Sequence, residues 1–216
     1  MDRCFSVQNV VHLENEIPIF NSSKTIVGSL RRVSSADDVN SELVECMTKW
    51  RNQFRSFFLT QFDATEERTE KWLKNTLVPD KTRGMYLIRN TADVLLGHLG
   101  VRRLDTACPE LDNMIRGRGG GDPQIMRFAE IALITSIFQC PRAEAVSLQV
   151  FSRNWIPISL HQSLGFQITE KKELFKQTLG DEVHYTAESD AGAKAGFDYL
   201  TMTVKRAEFA QAIGTL

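Results

Sequence analysis

One stretch of this chain limits its possible folds more than any other. From Pro109 it reads Pro-Glu-Leu-Asp-Asn-Met-Ile, then Arg116-Gly117-Arg118-Gly119-Gly120-Gly121, then Asp122-Pro123 and a strongly apolar run to Phe138. Leu111, Asn113 and Ile115 alternate with Asp112 and Met114, the period of a short strand. Four glycines in six residues free the backbone for φ > 0 and let its N–H groups approach a ligand. Asp122 suits an N-cap and Pro123 the first helical position. A glycine turn feeding a helix N-terminus gathers free N–H groups and the positive dipole end at one spot. That is an anion site, most often for phosphate. Arg116 and Arg118 add fixed charge and fork geometry for a pyrophosphate. The same residues also describe a mobile, solvated surface turn, and the loop alone leaves both readings open.

The helix expected over 123–138 is apolar nearly all round, from Ile125 and Phe128 to Ile137 and Phe138. It should therefore be buried against a sheet. Pro141 closes it, and Ala145 to Phe151 follows as a core strand with Val146, Leu148 and Val150 alternating. Strand, buried helix and strand make a βαβ unit with parallel strands. The glycine loop then lies at the carboxyl end of the first strand, where α/β sheets place ligands.

Elsewhere the signals are weaker. Residues 1–24 read as an N-terminal extension in which Val7 to Leu13 is a strand candidate, and Thr25 to Val33 as a first core strand. A helix of about 38–50 has N-cap choices from Ser34 to Asp38. Trp50-Arg51-Asn52 leads into Phe54, Phe57, Phe58, Leu59 and Phe62. That density of aromatics means core, or else a substrate-pocket wall with Trp50 for stacking and Arg51 and Asn52 for hydrogen bonds. Thr65 caps a helix of about 66–77. Met85 to Arg89 and Val94 to Arg103 form a hairpin. Its second strand has Leu95, Leu99 and Val101 on one face and His98 and Arg102 on the other. His98 reads first as a structural strand histidine. After the turn Ser152-Arg153-Asn154 come a short helix to Leu164, a C-cap at Gly165 and a strand at Phe166 to Thr169. Residues 171–197 read as a long loop or hairpin, Phe197 to Val204 as a final strand, and 206–216 as a tail or short helix.

Composition excludes several partners. The 216 residues, 42% hydrophobic and 25% charged, suit one large globular domain. A net charge of -1 from 26 basic and 27 acidic residues gives no global basic field, so nucleic acid is not an expected partner. Cys4, Cys46, Cys108 and Cys140 lack Cys-x-x-Cys spacing and a nearby His, so neither a metal site nor a disulfide framework is expected. Free thiols fit a reducing cytoplasm. No apolar run approaches the ~18 residues of a membrane span, and no signal-peptide pattern opens the chain.

Two motifs taken together resemble a known family. Arg116-x-x-Gly119-x-Gly121 on a strand-to-helix turn resembles the acetyl-CoA signature of the GNAT superfamily of N-acetyltransferases. Asn154-Trp-Ile-Pro-Ile-Ser-Leu160-His161-Gln-Ser-Leu164-Gly165-Phe166 is similar to that superfamily's Asn…Leu-Tyr…Leu-Gly-Phe segment. The likeness covers about residues 25–205. It implies a mixed α/β (α+β) fold, the GNAT fold, with a central twisted mixed sheet of about six to seven strands flanked by helices. It also implies acetyl-CoA as acyl donor. Main-chain groups of Met114, Ile115 and Arg116 would pair with the pantetheine arm. The amides of Arg116, Gly117, Arg118, Gly119, Gly120 and Gly121 would hold the pyrophosphate, and Asn154 would bind the arm from the other side. The strand carrying Asn113 and the strand ending at Phe151 would splay to admit the donor.

Two positions depart from the family pattern. His161 stands where a tyrosine usually protonates the leaving thiolate. Histidine also donates a proton and titrates near neutrality, while contact with CoA or a helix-capping role is the equal alternative. Asp122 follows the phosphate loop directly and is expected to point away from it as the N-cap.

Trp50-Arg51-Asn52, Phe58-Leu59 and Glu110-Leu-Asp-Asn113…Arg116-Gly117 look like GNAT enzymes of bacterial surface-polysaccharide and flagellin-sugar pathways. The implied acceptor is the amine of a nucleotide-linked aminosugar. Direct attack on the thioester needs a base, and Glu110, near the expected acetyl position, is the candidate. Asp112 would bind the acceptor, and a backbone N–H near Ile115 would hold the oxyanion. Glu110 and Asp112 equally suit a salt bridge with Arg102 or Arg103. The other readings are a protein N-terminal or antibiotic amine acetyltransferase, and a CoA-sensing or scaffolding module without catalysis, which His161 favours. A homodimer is admitted.

Overall fold

The computed structural model describes residues 11–189 and 192–214. Ten strands run in chain order as β1 (Glu16–Phe20), β2 (Ile26–Arg32), β3 (Thr60–Gln61), β4 (Gly84–Asn90), β5 (Leu95–Arg102), β6 (Glu110–Arg116), β7 (Ala145–Phe151), β8 (Gln167–Leu179), β9 (Glu182–Thr186) and β10 (Ala193–Lys205). The helices are α1 (Ser41–Gln53), α2 (Glu66–Trp72), α3 (Ile125–Gln139), α4 (Trp155–Gln162) and α5 (Arg206–Gly214). All strands join one sheet in the order β1-β2-β4-β5-β6-β7-β10-β8-β9-β3. Among the described residues only β6 and β7 pair in parallel, through the α3 crossover, as the βαβ reading expects.

Helices cover both faces. One core gathers Phe128, Leu133 and Ile137 of α3 with Leu164, Phe166 and Phe209, under Leu99, Val101, Leu111, Leu148 and Met202 of the sheet. Each such side chain contributes roughly 1.5–3 kcal/mol on burial. The other core packs Leu43, Met47 and Trp50 of α1, with Leu73 and Leu77 beyond α2, on Met85, Leu87, Leu95 and Ile115.

The sheet has ten strands where about six to seven were expected, for reasons that differ by place. β1 lies inside the segment read as an extension. Ile17 and Ile19 are buried and Pro18 sits on the sheet edge, the one place a strand tolerates a residue without an N–H. The strand expected at Val7 to Leu13 falls mostly outside the described residues, and Val11 to Leu13 are not strand. Much of 171–197 is strand, with β8 and β9 joined at Gly180 in a left-handed conformation (φ 60°). The tail forms α5, tied down by Arg206, which donates to the carbonyls of Phe138, Cys140 and Ala143. Leu95 lies on the α1 face, opposite Leu99 and Val101. Between Ile88 and Arg89 of β4, β5 spends an extra residue from Gly97 to Leu95, and that bulge reverses the alternation.

Candidate active site

The site begins at a second bulge. Opposite the step from His98 to Gly100 of β5, β6 advances three residues, from Ile115 to Asp112. Asn113 takes the extra place with φ 48°, a left-handed conformation that asparagine tolerates better than most residues. A bulge removes main-chain groups from the ladder and re-aims the strand, which is why bulges recur beside active sites. Here β6 also leaves its parallel neighbour. The β6–β7 register holds only Glu110↔Ser147 and Leu111↔Leu148, so from Asp112 onward the two strands diverge. Met114, Ile115 and Arg116 line β6 beyond the divergence. Asn154 begins α4 directly after β7, its N–H donating to Phe151 O at 2.9 Å.

Beneath the bulge lies a packed support. Trp50 is 3% exposed and stacks on His98 at 5.9 Å between ring centroids. Burial pushes the His98 pKa down to about 4, while the Asn113 backbone beside the ring pulls it up slightly, so the ring is neutral near neutral pH. Its Nδ1 is buried without a hydrogen-bond partner. A Cβ on Gly117 would lie about 2 Å from the Trp50 indole, with Cε2 at 1.9 Å. Trp50 is thus a packing residue under the loop, with no free face for stacking a substrate.

The glycine loop divides in two. The N–H groups of Gly117 and Arg118 both donate to Leu96 O, at 3.0 and 2.9 Å, so the first part of the expected cradle is fastened to β5. The amides of Gly119, Gly120 and Gly121 have no backbone acceptor among the described residues. A Cβ at Gly119 or Gly120 would meet nothing within 4 Å. Arg116 clamps the loop through Gly120 O and Pro123 O, and Arg118 reaches Cys46 Sγ at 3.8 Å. Neither guanidinium is directed wholly to a ligand. Asp122 turns onto its own backbone, accepting from Gln124 N at 2.8 Å, but it is not the N-cap: α3 starts at Ile125 with Gln124 in that place, so neither Asp122 nor Pro123 takes the helical position expected.

The α1 face carries the acids. Glu110 is 4% exposed and ion-paired to Arg102 at 2.5 Å and Arg103 at 3.7 Å. Asp112 packs over Gly100, whose hypothetical Cβ would fall 2.1 Å from Asp112 Oδ1. Burial pushes the Asp112 carboxyl above the usual carboxylate range, against the pull of Arg102 and Arg83. Tyr199 of β10 stands in the same field. Burial first, then the Glu110 charge, push its hydroxyl up to about 12.

A strap built from 54–64 crosses from α1 to the far edge of the sheet. β3 pairs with β9, Thr60 opposite His184, and Tyr185 N donates to Leu59 O at 2.8 Å. Asn52 fastens the strap root by exchanging two hydrogen bonds with the Ala64 backbone, so it too serves the scaffold. Arg51 donates to Thr60 O at 2.8 Å and lies 3.5 Å over the Phe58 ring. Burial, then Arg68, pull the Arg51 pKa down to about 10. Behind the strap, Phe151, Tyr185, Phe197 and Tyr199 form an aromatic cluster with centroids 4.9–5.8 Å apart. Arg153 lies 4.0 Å over Phe197 and donates to Ser56 O at 2.7 Å.

His161 does not stand alone. Its Nδ1 is 2.7 Å from Oε1 of Glu130, a wholly buried acid of α3. The apolar reading of that helix passed over Glu130. Tyr199 was likewise outside the sequence-based site, because only the closed sheet brings it into the field of Glu110, while the salt bridge with Arg102 or Arg103 that the sequence offered is formed with both. Among the described residues no three His, Cys, Asp or Glu side chains gather as a metal site, and no helix is long and apolar enough to cross a membrane.

No protein-family model matches the sequence, and no curated protein matches it. Solved structures do match its fold. The ribosomal L7/L12 alpha-N-protein acetyltransferase RimL superposes with a TM-score of 0.64 at 15% identity, over 89% of this chain and 94% of its own. A GCN5-related N-acetyltransferase from Brucella melitensis gives 0.62 at 14% identity, over 96% and 88%. Spermidine N-acetyltransferase from Vibrio cholerae, in complex with CoA and spermine, gives 0.57 at 11% identity, over 79% and 94%. At these identities the shared property is the fold, and the fold of this chain is the mixed α/β architecture of the GNAT acetyltransferases.

Proposed function

We propose that this chain is an acetyl-CoA-dependent N-acetyltransferase acting on a primary amine. The observation that carries the proposal is the junction of β6, β7 and the glycine loop. Two parallel strands part after Leu111, the edge of the gap is bulged at Asn113, and three unpaired loop amides wait at its end. A thin, extended donor with an anionic end suits that shape. Main-chain groups of Met114 to Arg116 take the pantetheine arm, Gly119 to Gly121 the pyrophosphate, and Asn154 the opposite side of the arm. When bound, the donor supplies a thioester carbonyl open to attack by an amine.

The base role expected of Glu110 falls to Asp112. Both Glu110 carboxylate oxygens are engaged by arginines, Oε1 by Arg102 and Oε2 by Arg103. Asp112 holds a proton more readily than an ordinary carboxylate, as a general base working near neutral pH requires. Asp112 takes a proton from the acceptor ammonium, directly or through one water. His161 supplies the proton that the departing sulfur needs, and a main-chain N–H near Ile115 holds the oxyanion.

The acceptor proposed is an amine on a nucleotide-linked sugar. Arg51 and Arg153 have no carboxylate partner among the described residues, unlike Arg55 of the strap and Arg68 of α2. Unpaired guanidiniums suit a diphosphate, and the Phe151–Tyr199 cluster suits a base or sugar face. The Glu110–Asp112 pair favours a second reading, a cationic polyamine or peptide N-terminus. The spermidine and ribosomal-protein enzymes of the same fold are named for acceptors of those kinds.

Titration calorimetry with acetyl-CoA is expected to give a saturable heat, and absence of heat at millimolar ligand would remove the proposal. Free-thiol release is expected with a nucleotide-aminosugar. Release only with spermidine or a peptide would move the acceptor to the second reading. Binding without release to any amine would leave a CoA sensor.

A further inference from the structure

Glu130 is the anomaly of the donor side. It is 0% exposed, and the other buried side chains of its helix are apolar except for Ser136. One carboxylate oxygen meets His161 Nδ1 at 2.7 Å, and the other is sealed with no partner. A buried ionised carboxylate is costly unless fully paired, and a buried ion pair seldom outperforms an apolar pair of equal volume. Stability therefore gives little reason for an acid here. A second tie between the same helices, Arg127 to the Ser163 hydroxyl, already braces α3 against α4.

The neighbourhood gives the pair a use. α3 begins just after the glycine loop and α4 just after Asn154, so the pair bridges the two helices that start at the donor gap. His161 is 6% exposed, with Phe166 edge-on at 5.6 Å between centroids. Its Nε2 has no hydrogen-bond partner among the described residues, yet it is not among the sealed, unpaired atoms. With Glu130 as a carboxylate, which only accepts hydrogen bonds, Nδ1 carries the proton shared with Oε1. Nε2 is then the nitrogen left to exchange a proton with anything entering the gap. A second partner of this kind fixes both tautomer and ring orientation.

We propose that Glu130 is a positioning residue for proton transfer by His161, holding Nδ1–H so that Nε2–H faces the leaving sulfur. This rests on the reading of the chain as an acetyltransferase with His161 as its acid. In the step, the carbonyl-carbon–sulfur bond breaks and sulfur keeps the electron pair. The Nε2–H bond then breaks as an S–H bond forms, and the imidazolium and the thiolate both lose their charge. Glu130 stays ionised, and solvent returns the proton to Nε2.

The test starts on the protein without donor. With only four histidines in the chain, nitrogen NMR of histidine-labelled protein can read His161 by its loss in His161→Gln. The expected result is a proton fixed on Nδ1 in the wild type and released from that nitrogen in Glu130→Leu. In turnover, Glu130→Leu should lower kcat about tenfold, with KM for acetyl-CoA within about twofold. His161→Gln should lower kcat about 100-fold. The double variant should be no slower than His161→Gln alone, because Glu130 acts through His161. Should Glu130→Leu fail to fold, Glu130→Gln keeps the volume and an acceptor for Nδ1–H but removes the charge, and its kcat is expected to fall between wild type and the tenfold loss, at unchanged KM. A bare Nδ1 in the wild type, wild-type kcat in a folded Glu130 variant, or losses that multiply in the double variant would each overturn the proposal. Failure of acetyl-CoA to bind would instead remove the acetyltransferase reading, and the NMR result would still report on the pair.

Discussion

The proposed donor half and the proposed acceptor half of the site are built in opposite ways. The donor half is nearly continuous in sequence, from the bulge at Asn113 to the start of α3 at Ile125, and offers main-chain groups. The acceptor half is gathered from β5, β6, the strap, β7, β9 and β10, and offers side chains. A backbone site needs only a strand, a turn and a helix in the right order. A side-chain site needs the whole sheet to close first. The halves meet at one place, the Asn113 bulge, supported from below by His98 and Trp50.

The largest expected effect strikes that shared support. His98 has a folded pKa of about 4 against an ordinary value of 6.5. Between those values the unfolded chain binds a proton that the folded chain refuses, so stability is lost as pH falls through the window. The loss attributable to His98 is about 3 kcal/mol from pH 6.5 to 4, taken at about 1.4 kcal/mol per unit. Urea unfolding at several pH values should show this slope in the wild type and a flatter one in His98→Gln. Equal slopes would mean that the bulge does not depend on a neutral ring.

A smaller effect separates the two acids. Asp112→Asn should lower kcat about 100-fold and leave acetyl-CoA affinity within about twofold. It should also abolish the acid limb of the pH–rate profile. Glu110→Gln should act mainly on stability, at about 1–2 kcal/mol, because Arg102 and Arg103 lose a buried partner. If Glu110→Gln removes the acid limb and Asp112→Asn does not, the roles revert to those expected from sequence.

The contrast also explains what could be read in advance. The glycine turn, the apolar crossover helix and the parallel pair depend on neighbours within about one supersecondary unit, and their pattern survives in the sequence. The faces of Leu95 and Leu99 could not be assigned, because a single extra residue in β5 reverses the alternation without leaving a sequence mark. β1 was hidden by Pro18, β3 by its length of two residues, and Glu130 by the apolar side chains around it. Arg51, Asn52 and Trp50 were visible as a cluster, but whether they faced a substrate or the scaffold depended on where 54–64 went. That segment crosses to β9, a strand more than 120 positions further along the chain. Trp50 and Asn52 were consequently absorbed by packing and by the strap root.

The smallest expected effect tests the donor half alone, through two glycines that the sequence presents as equivalents. At Gly117 a methyl group would collide with Trp50, so Gly117→Ala is a folding defect and should lower the melting temperature. At Gly119 a methyl group meets nothing, and no left-handed conformation is required there. Gly119→Ala should therefore leave thermal unfolding unchanged. If the loop amides hold a pyrophosphate, however, the added methyl stands where the ligand must approach the backbone, and calorimetry should show acetyl-CoA binding about tenfold weaker, or about 1.4 kcal/mol. Unchanged affinity in Gly119→Ala would move the anion site off the free amides. Loss of stability instead would show that this part of the loop is held by the fold, as Gly117 is, and the division of the loop into a fastened half and a ligand-facing half would fail.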